Sequence, residues 1–334
     1  MEKREIDQLV QNGFFQNKPV AGKVIETNIS WVILTKEFAF KIKKPIKLSF
    51  LDYSSLEKRK ENCERELLLN RRYSKIYLSV VPIRYHANQW HLGEGPGVIM
   101  DYAVCMRKLQ NSRKMDVLLK ANKVHTEAIQ RLASVLANFH KEAAIIKVPF
   151  CIENAKAIFN DLDTIKKIAK EEIGKSVVYK IDQCISWSDH FLQLHANRLE
   201  LRIEEGWVRD LHGDLHSGNI FLYREPIVFD CIEFQDSFRQ IDILYEIAFI
   251  CMDLEFYGRK DLAAKFLVFY NRELNPFLRK EDEEIFNYFK ALRANVRAKV
   301  YLLNAYSDTD PMSKKEHLSA ASQYLDLLFA YEGK

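Results

Sequence analysis

The chain has 334 residues, with 50 Lys+Arg against 46 Asp+Glu, a formal net charge of +4 and 48% hydrophobic residues. That balance belongs to a globular protein and excludes collagen-like, low-complexity and disordered chains. Only 11 glycines and 8 prolines interrupt it, so long unbroken elements, mostly helical, are expected.

The N-terminal MEKREIDQLV lacks the apolar stretch of a secretory leader, and no run of 18 apolar residues occurs. A cytoplasmic chain without membrane contact is therefore expected. The closest cysteines, Cys231 and Cys251, are twenty residues apart. This spacing suits neither a zinc knuckle nor a disulfide framework, and buried free thiols are expected. Residues 1–100 carry 17 basic against 11 acidic side chains. That excess suits phosphate, but it is too dilute for a nucleic-acid-binding stripe.

In chain order, Lys23–Ser30 and Trp31–Thr35 are rich in β-branched and aromatic residues, and Phe38–Ile42 alternates. Lys36-Glu37 is the expected hairpin turn, and Pro45 ends the last strand. Ser54-Ser55-Leu56-Glu57 has capping-box spacing and opens a charged stretch to Tyr73, with apolar Leu67, Leu68 and Leu69 near its end, a helix with one buried face. Tyr77–Ile83 and Val98–Tyr102 read as strands around a glycine-rich turn. Beyond Tyr102, helices are expected over Met115–Ala144 (broken near Lys120–Lys123), Asn160–Ile203, Ile241–Tyr257, Asp261–Glu273, Asp282–Ala305 and Ser313–Tyr331. Only Ile220–Tyr223 and Ile227–Phe229 read as strands there. The class is α+β, with a small β-rich part over 1–102 and a large helical part over 103–334.

The chemistry concentrates in Leu211-His212-Gly213-Asp214-Leu215-His216-Ser217-Gly218-Asn219 and, eleven residues after Asn219, in Ile227-Val228-Phe229-Asp230. Two carboxylates and an amide oxygen at the ends of a short hairpin are the set that phosphoryl transfer uses. One carboxylate, Asp214, orients the attacking hydroxyl and accepts its proton. The hard oxygens of Asn219 and Asp230 hold Mg²⁺ on the nucleotide phosphates.

With these motifs the sequence resembles the aminoglycoside phosphotransferase and choline kinase family, which has the bilobal protein-kinase-like fold. His212-Gly213-Asp214 with Asn219 matches its H-G-D-x-x-x-x-N loop, and Asp230 matches its metal-binding Asp. Val24–Val32, Phe40-Lys41-Ile42-Lys43-Lys44-Pro45 and Glu66-Leu67 with Asn70-Arg71-Arg72 resemble a largely uncharacterised bacterial branch. Members of that branch often carry a fused C-terminal P-loop ATPase domain. No G-x-x-x-x-G-K-[ST] occurs here, so the kinase unit alone is expected. The resemblance spans about residues 20–305.

The resemblance implies ATP and Mg²⁺ as cofactors and a strand lysine on the phosphates. Alternation puts Ala39, Lys41 and Lys43 on one face; Lys41 is the first choice and Lys43 the alternative. Glu66 is the carboxylate expected to hold that lysine, with Glu64 the alternative. No G-x-G-x-x-G covers the phosphates. Thr27, Asn28 and Ser30 in the turn Glu26–Ser30 take its place as donors, a plain hairpin turn being the alternative for each. Asp101 and Ala103 match the position of the hinge whose backbone meets adenine.

Several residues have bland readings. His212 is expected to order the loop, and His140 to pack at a helix end. Asp242 and Glu246 are candidates to anchor the catalytic loop. Glu233, Asp236, Asp253 and Glu255 would give acidity suited to a cationic substrate. Arg293 and Arg297, one turn apart, would either grip an anionic substrate or pair with acids.

The short interval between Asp230 and Ile241, with no A-P-E motif, favours a small-molecule acceptor over a protein. The expectation is an ATP- and Mg²⁺-dependent phosphotransferase acting on a small-molecule hydroxyl. A kinase-fold enzyme modifying a protein by phosphorylation or AMP transfer, and a nucleotide-binding pseudokinase, are the alternatives. No nucleic-acid partner is expected.

Overall fold

The computed structural model describes residues 1–332. Its packing divides the chain into two compact units, 1–118 together with 218–239, and 119–217 together with the residues from 240 on. The division expected near residue 102 falls inside a strand, Val98–Arg107.

The first unit begins with α1 (Lys3–Asn12), β1 (Gly13–Phe15) and β2 (Lys18–Pro19), none of which the sequence pattern had suggested. The hairpin strands follow as β3 (Lys23–Glu26), β4 (Ser30–Leu34) and β5 (Phe38–Lys43), then the short β6 (Lys47–Leu48) and β7 (Leu51–Asp52). Helix α2 (Leu56–Asn70) leads to β8 (Tyr77–His86), β9 (Gln89–Leu92) and β10 (Val98–Arg107). Eight strands form one sheet in the order β2-β1-β9-β8-β10-β5-β4-β3, antiparallel except where β1 meets β9.

Two threonines close the central hairpins. Thr35 accepts the Phe38 N–H at 3.0 Å and donates to its carbonyl at 3.0 Å, making the turn expected at Lys36-Glu37. Thr27 does the same with Ser30, at 2.9 and 3.0 Å. Such hydroxyl-to-backbone bonds satisfy the groups a tight turn would otherwise leave open.

The period-two alternation of β5 sorts its two faces. Phe40 and Ile42 join Ile6, Leu9, Trp31, Ile33, Ile83 and Trp90 in one core cluster, while Ala39 joins Cys63, Ile76, Tyr77, Val104 and Met106 in the other. Lys41 and Lys43 share the Ala39 side, the face toward α2.

Helix α2 is capped by Ser55, whose hydroxyl accepts the Lys58 N–H at 3.3 Å, one residue later than the capping-box spacing suggests. Its buried stripe is Arg59, Cys63, Glu66 and Asn70, whereas Leu68 is exposed. Leu69 is buried with this stripe and Leu67 packs against the Ala39 cluster, so only Leu68 of the leucine run faces away. The helix turns polar side chains inward because each finds a dedicated partner.

Helix α3 (Met115–Lys120) carries the chain into the second unit, with α4 (Thr126–Glu142), α5 (Ile152–Asn160), α6 (Lys166–Glu172) and α7 (Lys175–Glu204). Strand β11 (Val208–Asp210) follows. The chain then returns to the first unit for the two-stranded pair β12 (Ile220–Phe221) and β13 (Ile227–Val228). Strand β14 (Gln240–Asp242) pairs with β11 and leads to α8 (Ile243–Phe256), α9 (Lys260–Glu273), α10 (Lys280–Ser307) and α11 (Pro311–Tyr331).

Arg202 and Asp282, both fully buried, tie α7, α8 and α10 together. Arg202 grips Asp242 through Nε at 2.6 Å and Nη2 at 2.8 Å and reaches Asp282 through Nη1 at 2.8 Å. Arg198 holds Asp282 from the other side at 2.8 and 2.9 Å. No helix among the described residues is long and apolar enough to cross a membrane. All six cysteines are free, and Cys151, unlike the other five, is exposed.

Candidate active site

Within the first unit, Lys41, Glu66 and Asp230 form one ion-pair chain. Lys41 Nζ donates to Glu66 Oε1 at 2.9 Å and to Asp230 Oδ1 at 2.5 Å. Glu66 Oε2 accepts from Lys43 Nζ at 2.8 Å. Lys43 also donates to Glu233, and the Tyr53 hydroxyl donates to the same Glu233 oxygen at 2.8 Å.

Exposure separates the two lysines. The Lys43 side chain is 0% exposed and locked among internal partners; Lys41 is 12% exposed and its partner Asp230 is 41% exposed. Burial opposes the charge on both lysines, but the surrounding carboxylates outweigh it and raise both well above the ordinary lysine value. Burial likewise pushes Glu233 up, yet Lys43 and Lys41 hold it down at about 2.

Asp230 sits one residue past Phe229, beyond the end of β13, with φ +64°, a left-handed conformation that aspartate tolerates better than most residues. Its N–H donates to the Tyr77 hydroxyl at 2.9 Å. The next residue is held by Asn70, which accepts the Cys231 N–H at 2.8 Å. Asn219 precedes β12, and its carbonyl accepts the Phe229 N–H at 3.1 Å, so backbone pairing brings Asn219 and Asp230 to the same end of the hairpin. Among the described residues no three His, Cys, Asp or Glu side chains form a metal cage. Magnesium on nucleotide phosphates needs only one or two protein oxygens, which Asp230 and Asn219 can supply.

In the second unit the loop around Asp214 is held at several backbone groups. Glu246 on α8, fully buried, accepts the His212 N–H at 2.7 Å and the Gly213 N–H at 3.1 Å. Gly213 has φ +86°, where a side chain would be strained. Its carbonyl accepts from Arg293 Nη1 at 3.0 Å. His212 Nδ1 accepts the Asp214 N–H at 3.2 Å, and Asp253 accepts the Ser217 N–H at 2.8 Å. His212 thus orders the loop, and Glu246 anchors it. Asp242 instead caps α8, accepting the Leu244 N–H at 2.7 Å, and binds Arg202.

Burial raises the Asp214 carboxyl, but His216, 3.4 Å away, together with Arg297 and His212, pulls it below the usual carboxylate range. Burial pushes Glu246 up to about 7, against the opposing pull of Arg293 and the two loop N–H groups.

The residues expected at the phosphates and at adenine are placed as follows. Thr27 is committed to its turn: its single hydroxyl proton goes to the Ser30 carbonyl, so it has none for a phosphate. Ser30 is buried, while Asn28 is exposed at the tip. Ala103 lies in mid-sheet, paired with Ile42 on one side and Val81 on the other, so its backbone is occupied by the ladder. Asp101 is fully buried and holds Arg59 Nε at 2.9 Å and the Met1 ammonium at 2.8 Å. Neither belongs to an open hinge.

The four residues expected to give an acidic surface each have partners within the chain. Glu233 is bound by Lys43 and Tyr53, and Asp236 by Arg65 and Arg239. Asp253 holds Ser217 and Tyr324, and Glu255 holds Lys290 and Tyr331. His140 packs inside α4 with its Nδ1 2.7 Å from the Tyr270 hydroxyl. Sequence reasoning passed over Tyr53, Arg59 and Tyr77. Each works through one long-range contact, which leaves no local pattern.

No family model matches the chain. Uncharacterised proteins of Mycobacterium tuberculosis and Mycobacterium bovis are 31% identical over 317 residues, covering 90% of this chain. The chain spans 59% of the length of these curated relatives. Among solved structures, the GDP and kanamycin complex of APH(2")-IIia aligns with a TM-score of 0.54 at 14% identity, covering 97% of this chain and 98% of that one. A choline/ethanolamine kinase family protein from Mesorhizobium loti aligns at 0.49 and 12% identity, covering 99% of this chain and 100% of that one. The chain has the kinase-like α+β fold of the aminoglycoside phosphotransferases.

Proposed function

We propose that the chain is an ATP-dependent phosphotransferase whose acceptor is a hydroxyl of a small molecule. The observation that carries this reading is the Lys41 ammonium held between Glu66 and Asp230 at 2.9 and 2.5 Å. A nucleotide-binding module could use the same pair, but it has no need of a general base such as Asp214 on a loop anchored by Glu246. The likeness to a structure described as a GDP and kanamycin complex supports the same reading.

In this reading Lys41 binds nucleotide phosphate oxygens, and Glu66 fixes its direction. Asp230 and Asn219 would hold Mg²⁺, which when bound neutralises phosphate charge. Asp214 orients the acceptor hydroxyl and takes its proton. Its depressed pKa keeps it ionised at neutral pH, so it acts mainly by orientation and accepts the proton late, as the new P–O bond forms. The Glu246 anchor and the Gly213 turn keep its carboxylate in one place.

The test is ADP release from Mg-ATP across a panel of hydroxyl compounds, with wild type and Asp214→Ala compared. Turnover that vanishes in the variant supports the reading. Turnover that persists at full rate removes Asp214 from the chemistry, and failure to bind ATP at all overturns the reading.

A further inference from the structure

The second unit contains a guanidinium that has no counter-ion among the described residues. Arg297 lies on α10 one turn beyond Arg293, the residue that holds the carbonyl of Gly213. It is half-buried, and its Nε is fully enclosed with no hydrogen-bond partner. The guanidinium lies 4.9 Å from the ring of Tyr301 and 5.6 Å from that of Tyr324, and Nη2 donates to the Tyr301 hydroxyl at 3.1 Å. Among the described residues no carboxylate lies within ion-pair distance of it. Asp253, its acidic neighbour, is instead occupied by the Ser217 N–H and the Tyr324 hydroxyl.

Withdrawing a cation from water without a partner is costly. The two acids whose charge reaches Arg297 are directed elsewhere, Asp253 to Ser217 and Tyr324 and Asp214 to His216. Asp214 lies in the field of the Arg297 guanidinium, which pulls its carboxyl downward. A cationic group brought against Arg297 would meet repulsion, whereas an anionic one would complete the pairing.

We propose that the acceptor carries an anionic group, phosphate or carboxylate, on the same molecule as its hydroxyl, and that Arg297 is the specificity residue that binds it. This rests on the phosphotransferase reading above. In the reaction the acceptor oxygen bonds to the γ-phosphorus of ATP, the bond to the β-phosphate oxygen breaks, the hydroxyl proton passes to Asp214, and ADP leaves. Arg297 takes no proton; it holds the anion and so places the hydroxyl.

The experiment uses the full chain with Mg-ATP and three matched sets of hydroxyl compounds: anionic (sugar phosphates and hydroxy acids, scored separately), neutral, and cationic (aminoglycosides and choline). ATP binding is measured in parallel. Turnover of an anionic compound is expected, and the phosphate and carboxylate arms identify which anion is read. Arg297→Gln should raise the KM for that acceptor about tenfold to a hundredfold and leave the KM for ATP unchanged, as loss of one charge-assisted contact to the ligand implies. Arg297→Lys should recover part of the loss, which a purely structural role would not predict. Preference for a cationic or neutral acceptor, or ATP binding with no anionic compound turned over, overturns the proposal and leaves the phosphotransferase reading standing. Absence of ATP binding overturns that reading itself.

Discussion

Glu66 divides one carboxylate between two lysines, giving Oε1 to Lys41 at 2.9 Å and Oε2 to Lys43 at 2.8 Å. The division gives the lysines different duties. Lys43 ties Glu66 to Glu233 in a fully enclosed pair of bonds, so the helix carboxylate is fixed by the chain itself. Lys41 faces the partly exposed Asp230 and can exchange that partner for a ligand.

Substitution should separate the two duties. Lys41→Ala is expected to raise the KM for ATP and lower turnover with little change in melting temperature. Lys43→Met leaves Glu233 buried against one fewer cation and should destabilise the fold by about 3–5 kcal/mol. Thermal melts beside nucleotide titrations check both. Equal melting temperatures for the two variants would contradict the assignment.

Asp214→Ala should lower kcat by about a hundredfold to ten-thousandfold, the usual contribution of a positioned proton acceptor. ATP affinity should stay near that of the wild type, because Asp214 is not among the groups assigned to the nucleotide. Calorimetric titration of ATP together with single-turnover transfer separates the two quantities.

Asp230→Ala removes the more accessible of the two proposed magnesium oxygens and a partner of Lys41. Nucleotide affinity in the variant should no longer rise when Mg²⁺ is added. ATP titrations with and without the metal measure this, and an unchanged Mg²⁺ effect would remove Asp230 from the metal site.

Glu246 makes stability depend on pH. Burial lifts its carboxyl from the ordinary 4.5 to about 7 in the folded chain. Between those values the folded state retains a proton that the unfolded chain has released, so the contribution is complete below about pH 4.5 and is lost as pH rises to about 7. Glu246→Gln should lack this slope. Melting temperatures of the two proteins from pH 4 to 8, divided by residue type rather than by activity, reveal it; parallel curves would mean that Glu246 titrates normally.

The helical half of the fold was legible because its signal is local. Breaks near Lys120–Lys123 and strands around the Arg224-Glu225-Pro226 turn follow from residues that neighbour one another, and the structure has α3 and α4 separated there and β12 paired with β13. The N-terminal α1 with β1 and β2, and the pairing of β11 with β14, escaped notice. Those strands are two or three residues long, too short to show a period, and form only when a distant partner supplies the hydrogen bonds.

Asp214, Asn219 and Asp230 stood out in the sequence because the loop and the hairpin that follows it are contiguous, so that spacing alone marks them. So did the shared face of Lys41 and Lys43, which strand alternation dictates. Which lysine stays reachable could not be read there. That was decided by Glu233 and Tyr53, which lie 190 and 10 residues from Lys43 and enclose it. The same holds for Arg297. Its type and its helical phase beside Arg293 are sequence properties, but whether an arginine finds an acid depends on which carboxylates the folded chain has already assigned to other donors.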